Sequence, residues 1–160
     1  MATLVTIPIG DMERATGVNR ASGWYKAASY VVLLTAGMHL LAHLVGPPAP
    51  VSEEQRVLDR LLRNLALNVG GVERTMYAII TGYSLFFAFA QAIQGAFVLM
   101  LLRYRPDDAV VLRCIGWIGV LSLLGNLVIS IAYFPIPPIA LSGLGLILFA
   151  VGLRRSMPAA

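Results

Sequence analysis

Only two histidines occur in the chain, His39 and His43, and a spacing of four places both imidazoles on one helical face, one turn apart. Such a pair can chelate a zinc or copper ion, but a metal needs more ligands. The lone cysteine, Cys114, lies at the opposite end of its apolar run, and no carboxylate falls inside any run. Glu73 is the one candidate third ligand, so no resident metal is expected. If there were one, His39, His43 and Glu73 would have to hold it. A haem held by two histidines needs them on opposite faces of the ring, which two residues on one turn cannot supply. A tetrapyrrole with a single axial histidine remains open. Gln91 and Gln94 carry amides that either bridge helices or contact a quinone carbonyl.

Hydroxyl and amide groups accompany the histidines. Counted at ~1.5 Å per residue from the centre of each apolar run, His39, Ser84 and Asn126 share one depth, with Ser142 slightly nearer the centre. His43, Thr81 and Ser130 fall one step further out. Two readings stand. Either the seven residues line a polar chamber that binds a ligand, or they are interhelical hydrogen-bonding groups contributing about 0.6 kcal/mol each. The histidines favour the first, because ionisable groups inside a membrane are costly and usually have a task. No catalytic residue is assigned: there is no glycine-rich phosphate loop, H-E-x-x-H, G-x-S-x-G or paired intramembrane carboxylate. An enzyme and classical proton coupling are both disfavoured.

Four apolar runs must position these groups. Span one is read at 24–45, with Trp24, Tyr25 and Lys26 as an interfacial anchor and Ala28, Val32, Thr35, His39 and His43 as its inward seam. Span two, 74–102, has no charge between Arg74 and Arg103. Its seam is Arg74, Tyr77, Thr81, Ser84, Ala88, Gln91 and Gly95, a polar and small stripe that belongs away from lipid. Ala88, Ala92 and Ala96 make a small-residue stripe beside it. Span three, 110–134, has the seam Gly116, Gly119, Ser122, Asn126 and Tyr133. Span four, 136–153, has Pro138, Ser142, Gly145, Phe149 and Gly152. Between spans one and two, Ser52-Glu53-Glu54-Gln55 is a capping box. It opens an amphipathic helix over 52–66, with Val57, Leu58, Leu61, Leu62 and Leu65 on the apolar face. Gly70-Gly71 reads as a break before span two, and Glu73-Arg74 as a solvated pair.

The expected fold is therefore all-α: a polytopic four-transmembrane-helix bundle over 24–155, with an interfacial helix in the first loop. An N-terminal arm, 1–23, precedes it and a short tail, 156–160, follows. The arm holds a short apolar run, Thr3 to Ile9 with Pro8 inside, and does not read as a cleaved signal peptide. Hydrophobic residues make up 58% and charged ones 12%, against roughly 25% charged in soluble domains. The net charge of +4 does not signal nucleic acid, because the arginines sit at span ends. Arg14, Arg20, Lys26, Arg103, Arg105, Arg113, Arg154 and Arg155 fall on one side, and Arg56, Arg60, Arg63 and Arg74 on the other. That bias places both termini in the cytoplasm. Cys114 is expected to be small apolar filler.

Thr75-Met76-Tyr77 leads into Thr81-Gly82-Tyr83-Ser84-Leu85, with Gly95 further on. Together with Tyr133-Phe134-x-x-Pro137 and a histidine late in span one, this resembles an uncharacterised family of small four-span bacterial membrane proteins, over about residues 25–153. The outline is also similar to the four-span quinol-oxidase-accessory (DoxX-like) class. The resemblance implies a four-helix bundle in a bacterial inner membrane. It implies no settled activity, so no residue role is carried over.

The function expected from sequence is an accessory or structural subunit of a larger membrane complex, without catalysis. Its partners would be the lipid bilayer and other membrane subunits or copies of itself. The alternative is a binding or redox module holding a hydrophobic ligand, quinone, metal or tetrapyrrole at His39.

Overall fold

A computed structural model describes residues 9–47, 49–134 and 136–157, with the side chains of 9–20 left aside. The elements in order are α1 (Ile9–Val45), α2 (Glu53–Asn64), β1 (Ala66–Val69), β2 (Val72–Thr75), α3 (Met76–Tyr104), α4 (Ala109–Tyr133) and α5 (Ile136–Ser156). Four helical segments are long and apolar enough to cross a membrane: Ala21–Val45, Met76–Tyr104, Ala109–Tyr133 and Ile136–Ser156. The chain is an all-α, multi-pass membrane protein with an added amphipathic helix.

Each helix ends where its sequence supplies a stop. Gly46 adopts φ +79° and donates its N–H to Ala42 O at 3.1 Å, a left-handed cap that Pro47 prevents from continuing. Asp108 caps α4, its Oδ1 accepting from Val110 N at 3.0 Å and Val111 N at 3.1 Å. Pro137 and Pro138 sit in the first turn of α5, where their missing N–H groups leave no helical bond unmade.

Two compact units are distinguished. One consists of the described residues up to Thr35 with those from Ile93 onward, the other of Ala36–Ala92. In the first, a core cluster joins Ala21, Tyr25, Ala28 and Val32 to Val98, Leu102, Leu112, Ile115, Leu123 and Phe149. Glycines make this packing possible. A Cβ at Gly152 would stand 2.6 Å from the Tyr25 ring, and one at Gly145 2.8 Å from Leu123. At Gly116 and Gly119 it would collide with the Tyr25 hydroxyl and the Phe149 ring. In lipid, where apolar burial gives helices little reason to associate, such close approach supplies the dispersion contacts that do.

In the second unit, α2 is capped by Ser52, whose Oγ accepts from Gln55 N at 3.3 Å. Gln55 Oε1 returns to Val51 N at 2.8 Å. After α2 the chain turns through an antiparallel hairpin, with Val69 opposite Val72 and Ala66 opposite Thr75. Gly70 and Gly71 have φ +60° and +85°, the positive pair that a two-residue hairpin turn requires. Asn68 Oδ1 accepts from Gly71 N at 2.9 Å, and Met76 N donates to Leu65 O at 2.9 Å across the hairpin's base.

Several sequence expectations need correction. Residues 9–23 are not a separate arm: α1 runs unbroken from Ile9, since no proline or capping sequence interrupts it. Thr3 to Pro8, Pro48, Pro135 and the tail beyond Met157 lie outside the described residues. Tyr25 is not an interfacial anchor, being wholly buried with its hydroxyl 3.3 Å from Ser156 Oγ. Cys114 is exposed and fills no core. Tyr133 is 81% exposed and leaves the span-three seam. The amphipathic helix closes at Asn64, and span two begins at Met76. Arg74 therefore belongs to β2, exposed, its guanidinium donating to Glu73 O at 2.8 Å.

Candidate functional site

Helix α3 brings Tyr77, Thr81, Ser84, Ala88 and Gln91 onto one stripe. Tyr77, Thr81 and Ser84 are half-buried, and Ala88 and Gln91 are buried. Hydroxyls on helices commonly bond back to the carbonyl one turn earlier. Ser29 does so with Tyr25 O, and Thr35 with Val31 O, each at 2.8 Å. Ser84 does not. Its Oγ lies 2.6 Å from His39 Nε2 and 2.7 Å from His43 Nε2.

Both imidazoles come from the final turns of α1, where the four-residue spacing stacks them on one face. Their centroids are 5.4 Å apart and the rings are nearly perpendicular at 77°. Phe87, one turn beyond Ser84, meets His39 edge to face at 5.9 Å. A serine hydroxyl offers one proton and two lone pairs. The arrangement that satisfies both rings has Ser84 donating to one Nε2 and accepting an N–H from the other. The two neutral rings then hold opposite tautomers. A proton added at one ring can be passed through the hydroxyl to the other without any heavy atom moving far. Both histidines are half-buried, so the cluster is a polar group inside an apolar segment and still reachable.

At the margin of the same unit, α2 is tied to α3. The Arg63 guanidinium stands 4.2 Å from the Tyr77 ring centroid, and its Nε donates to both Asp59 carboxylate oxygens at 2.9 Å. Asp59 beside it raises the Arg63 pKa further above its ordinary value. The Ser52 hydroxyl lowers the Glu54 carboxyl below the usual glutamate range, helped by its own backbone N–H.

The remaining sequence candidates separate. Thr81 is in the same unit, half-buried, with no side-chain hydrogen bond among the described residues. Glu73 is exposed on β2, and no group of three His, Cys, Asp or Glu side chains able to hold a metal occurs among the described residues. Asn126 (half-buried), Ser130 (5% exposed) and Ser142 (7% exposed) belong to the other unit. Gln94 also belongs there, its Oε1 accepting from Ser122 Oγ at 3.1 Å and its Nε2 buried without a partner among the described residues. Gln91 is 5% exposed, and its Oε1 likewise has no partner among the described residues. Sequence reasoning missed Phe87 as a contact of His39. Its position three residues after Ser84, on the same helical face, was the available signal. No protein-family model, curated protein or solved structure matches the chain.

Proposed function

We propose that the chain is a membrane-integral binding module, without catalysis of its own, whose site is the His39–Ser84–His43 cluster. One observation carries this reading: two imidazole nitrogens converge on one hydroxyl oxygen, at 2.6 and 2.7 Å. A hydroxyl serving only to join two helices needs one such partner and would otherwise satisfy itself on its own backbone. Two imidazoles and a hydroxyl gathered at a point offer donors and acceptors together to a ligand. The membrane is a bacterial inner membrane with both termini cytoplasmic, on the strength of the arginine distribution and the sequence resemblance. The cluster then lies toward the outer face, where α2 is. The test is extraction of the chain in native lipid, with mass spectrometry and an absorbance spectrum of wild type beside His39→Leu. A small molecule or ion present in the first and lost in the second supports the module. A colourless, metal-free preparation with the same lipid content in both removes it.

A second reading, an accessory subunit of a larger complex, is favoured by α2. Its apolar residues Val57, Leu58 and Leu61 are 52%, 54% and 55% exposed, and no residue of the helix is buried. The same face suits a bilayer interface. Replacing Leu58 and Leu61 by Ser and repeating the extraction distinguishes them: a co-purifying membrane protein that disappears supports the subunit, and unchanged protein content removes it.

A further inference from the structure

We infer that the β1–β2 hairpin and α2 together form a surface that lies against the bilayer, with Arg74 holding the phosphate of a phospholipid headgroup. This surface falls wholly within the unit Ala36–Ala92 and includes no residue of the histidine cluster. Successive residues of a strand point to opposite faces, and the register pairs Leu67 with Arg74 and Val69 with Val72. These four side chains therefore share one face of the hairpin. Asn68 and Glu73 fall on the other, where Asn68 Oδ1 is committed to Gly71 N. The hairpin is thus amphipathic, as α2 is, but its apolar face carries one cation. Val69 and Val72 on that face are 57% and 46% exposed.

Charge pairing separates Arg74 from the other arginines of this unit. Arg56 and Arg60 reach Glu53 at 3.6 and 3.1 Å, and Arg63 reaches Asp59 at 2.9 Å. Arg74 donates to a neutral carbonyl, Glu73 O, and no ion pair neutralises it among the described residues. A planar guanidinium with donors to spare suits a phosphate diester. Depth identifies the source of that phosphate. Helix α3 has 29 residues, about 43 Å at ~1.5 Å each, which matches a bilayer with both headgroup layers included, about 40–45 Å. Its first turn therefore belongs at headgroup level, and Arg74 stands just before it. The bond from Met76 N to Leu65 O holds the end of α2 at the same level. Lipid answers both parts of the hairpin face, acyl chains for the valines and phosphate for the arginine. An apolar protein partner would leave the guanidinium without a counter-charge.

The experiment uses the full chain, in a Cys114→Ser background, in nanodiscs of mixed phosphatidylcholine and phosphatidylglycerol. Nitroxides are attached at Leu61→Cys, Val69→Cys and Val72→Cys, and at Arg56→Cys and Glu73→Cys on the polar faces. Power saturation of the spin signal compares collision with oxygen, which concentrates in lipid, and with a water-soluble nickel chelate. Oxygen should dominate at the first three sites and nickel at the other two. Leu58→Cys and Leu67→Cys replace any apolar-site variant that has lost its helical circular dichroism. Nickel dominant at every site overturns the inference. So does exclusion of both reagents at the apolar sites, the mark of a second copy or another protein covering them. Native mass spectrometry from the same nanodiscs then compares the phospholipid retained by the unlabelled chain with that of Arg74→Gln, Arg74→Lys and Arg56→Gln. Arg74→Gln should lower retention about fivefold, the effect of one basic residue at an anionic lipid surface. Arg74→Lys keeps the charge and should keep the lipid. Arg56→Gln, whose charge Glu53 already meets, should be unchanged. Retention unaltered in Arg74→Gln, or lowered equally in Arg56→Gln, overturns the assignment of the phosphate to Arg74.

Discussion

Ser84 holds the two histidines through a single oxygen, so its loss should exceed that of an ordinary surface hydroxyl. Ser84→Ala leaves two imidazole nitrogens short of a partner, and an unmet buried polar group costs about 1–3 kcal/mol. Unfolding of the purified chain in mixed micelles should show that loss, with Thr81→Ala, which breaks no side-chain hydrogen bond among the described residues, within about 0.5 kcal/mol of wild type. By depth alone, His39→Leu would be the more damaging histidine change, since His43, one step further out, is nearer to headgroup water. Because both rings bond Ser84, the two substitutions should instead cost similar amounts. The pair itself was legible: two histidines four apart on an apolar run announce one helical face. Their shared partner was legible only as a depth, because matching height along a membrane normal does not say which face of a neighbouring helix is presented. Asn126 satisfied the same depth criterion as Ser84, yet it belongs to the other compact unit.

Helices α4 and α5 depend on glycines that lack room for any side chain. Gly119→Ala drives a methyl into the Phe149 ring, and overpacking of this kind costs typically 1–3 kcal/mol. Gly125→Ala, on the same helix with nothing within 4 Å of its added Cβ, should be neutral or stabilising by up to about 1 kcal/mol. Comparing the two by micelle unfolding separates packing from helix propensity. At α2, Ser52→Ala removes an N-cap and should cost about 1 kcal/mol, read as faster amide exchange over Glu53–Asn64. The pH dependence has a fixed sign. Because Glu54 is held below its ordinary pKa, its contribution to α2 is present above that ordinary value and is lost as pH falls through the lowered one. Exchange over the first turn of α2 should therefore quicken on acidification below the usual glutamate range, and less so in Ser52→Ala. The hairpin was the element sequence reasoning lost. Gly70-Gly71 was read as a break, although Ala66–Val69 and Val72–Thr75 flank it symmetrically and a Gly-Gly pair between two short strands is a hairpin signal. The long apolar run that followed drew Arg74 and Thr75 into span two, because hydropathy has no sense of where a strand ends.

Across the whole molecule, the spans were legible because nothing else gives four apolar runs of this length. The proposed orientation rests on eight basic residues against four, and substituted-cysteine labelling tests it. In a Cys114→Ser chain within intact cells, a membrane-impermeant thiol reagent should label a cysteine placed at Gly71 but not one placed at Met157. The reverse pattern would invert the topology and move the histidine cluster to the cytoplasmic half. The hairpin also has a mechanical consequence. Leu65 O and Met76 N are bonded at 2.9 Å, so the ten residues between them form a closed loop whose ends cannot drift apart. Anything that lifts or rotates the amphipathic α2 therefore pulls directly on the first turn of α3, two turns from Ser84. A loop of free chain would absorb such a displacement as slack; the paired strands transmit it, making α2 a lever on the hydroxyl that the two histidines share.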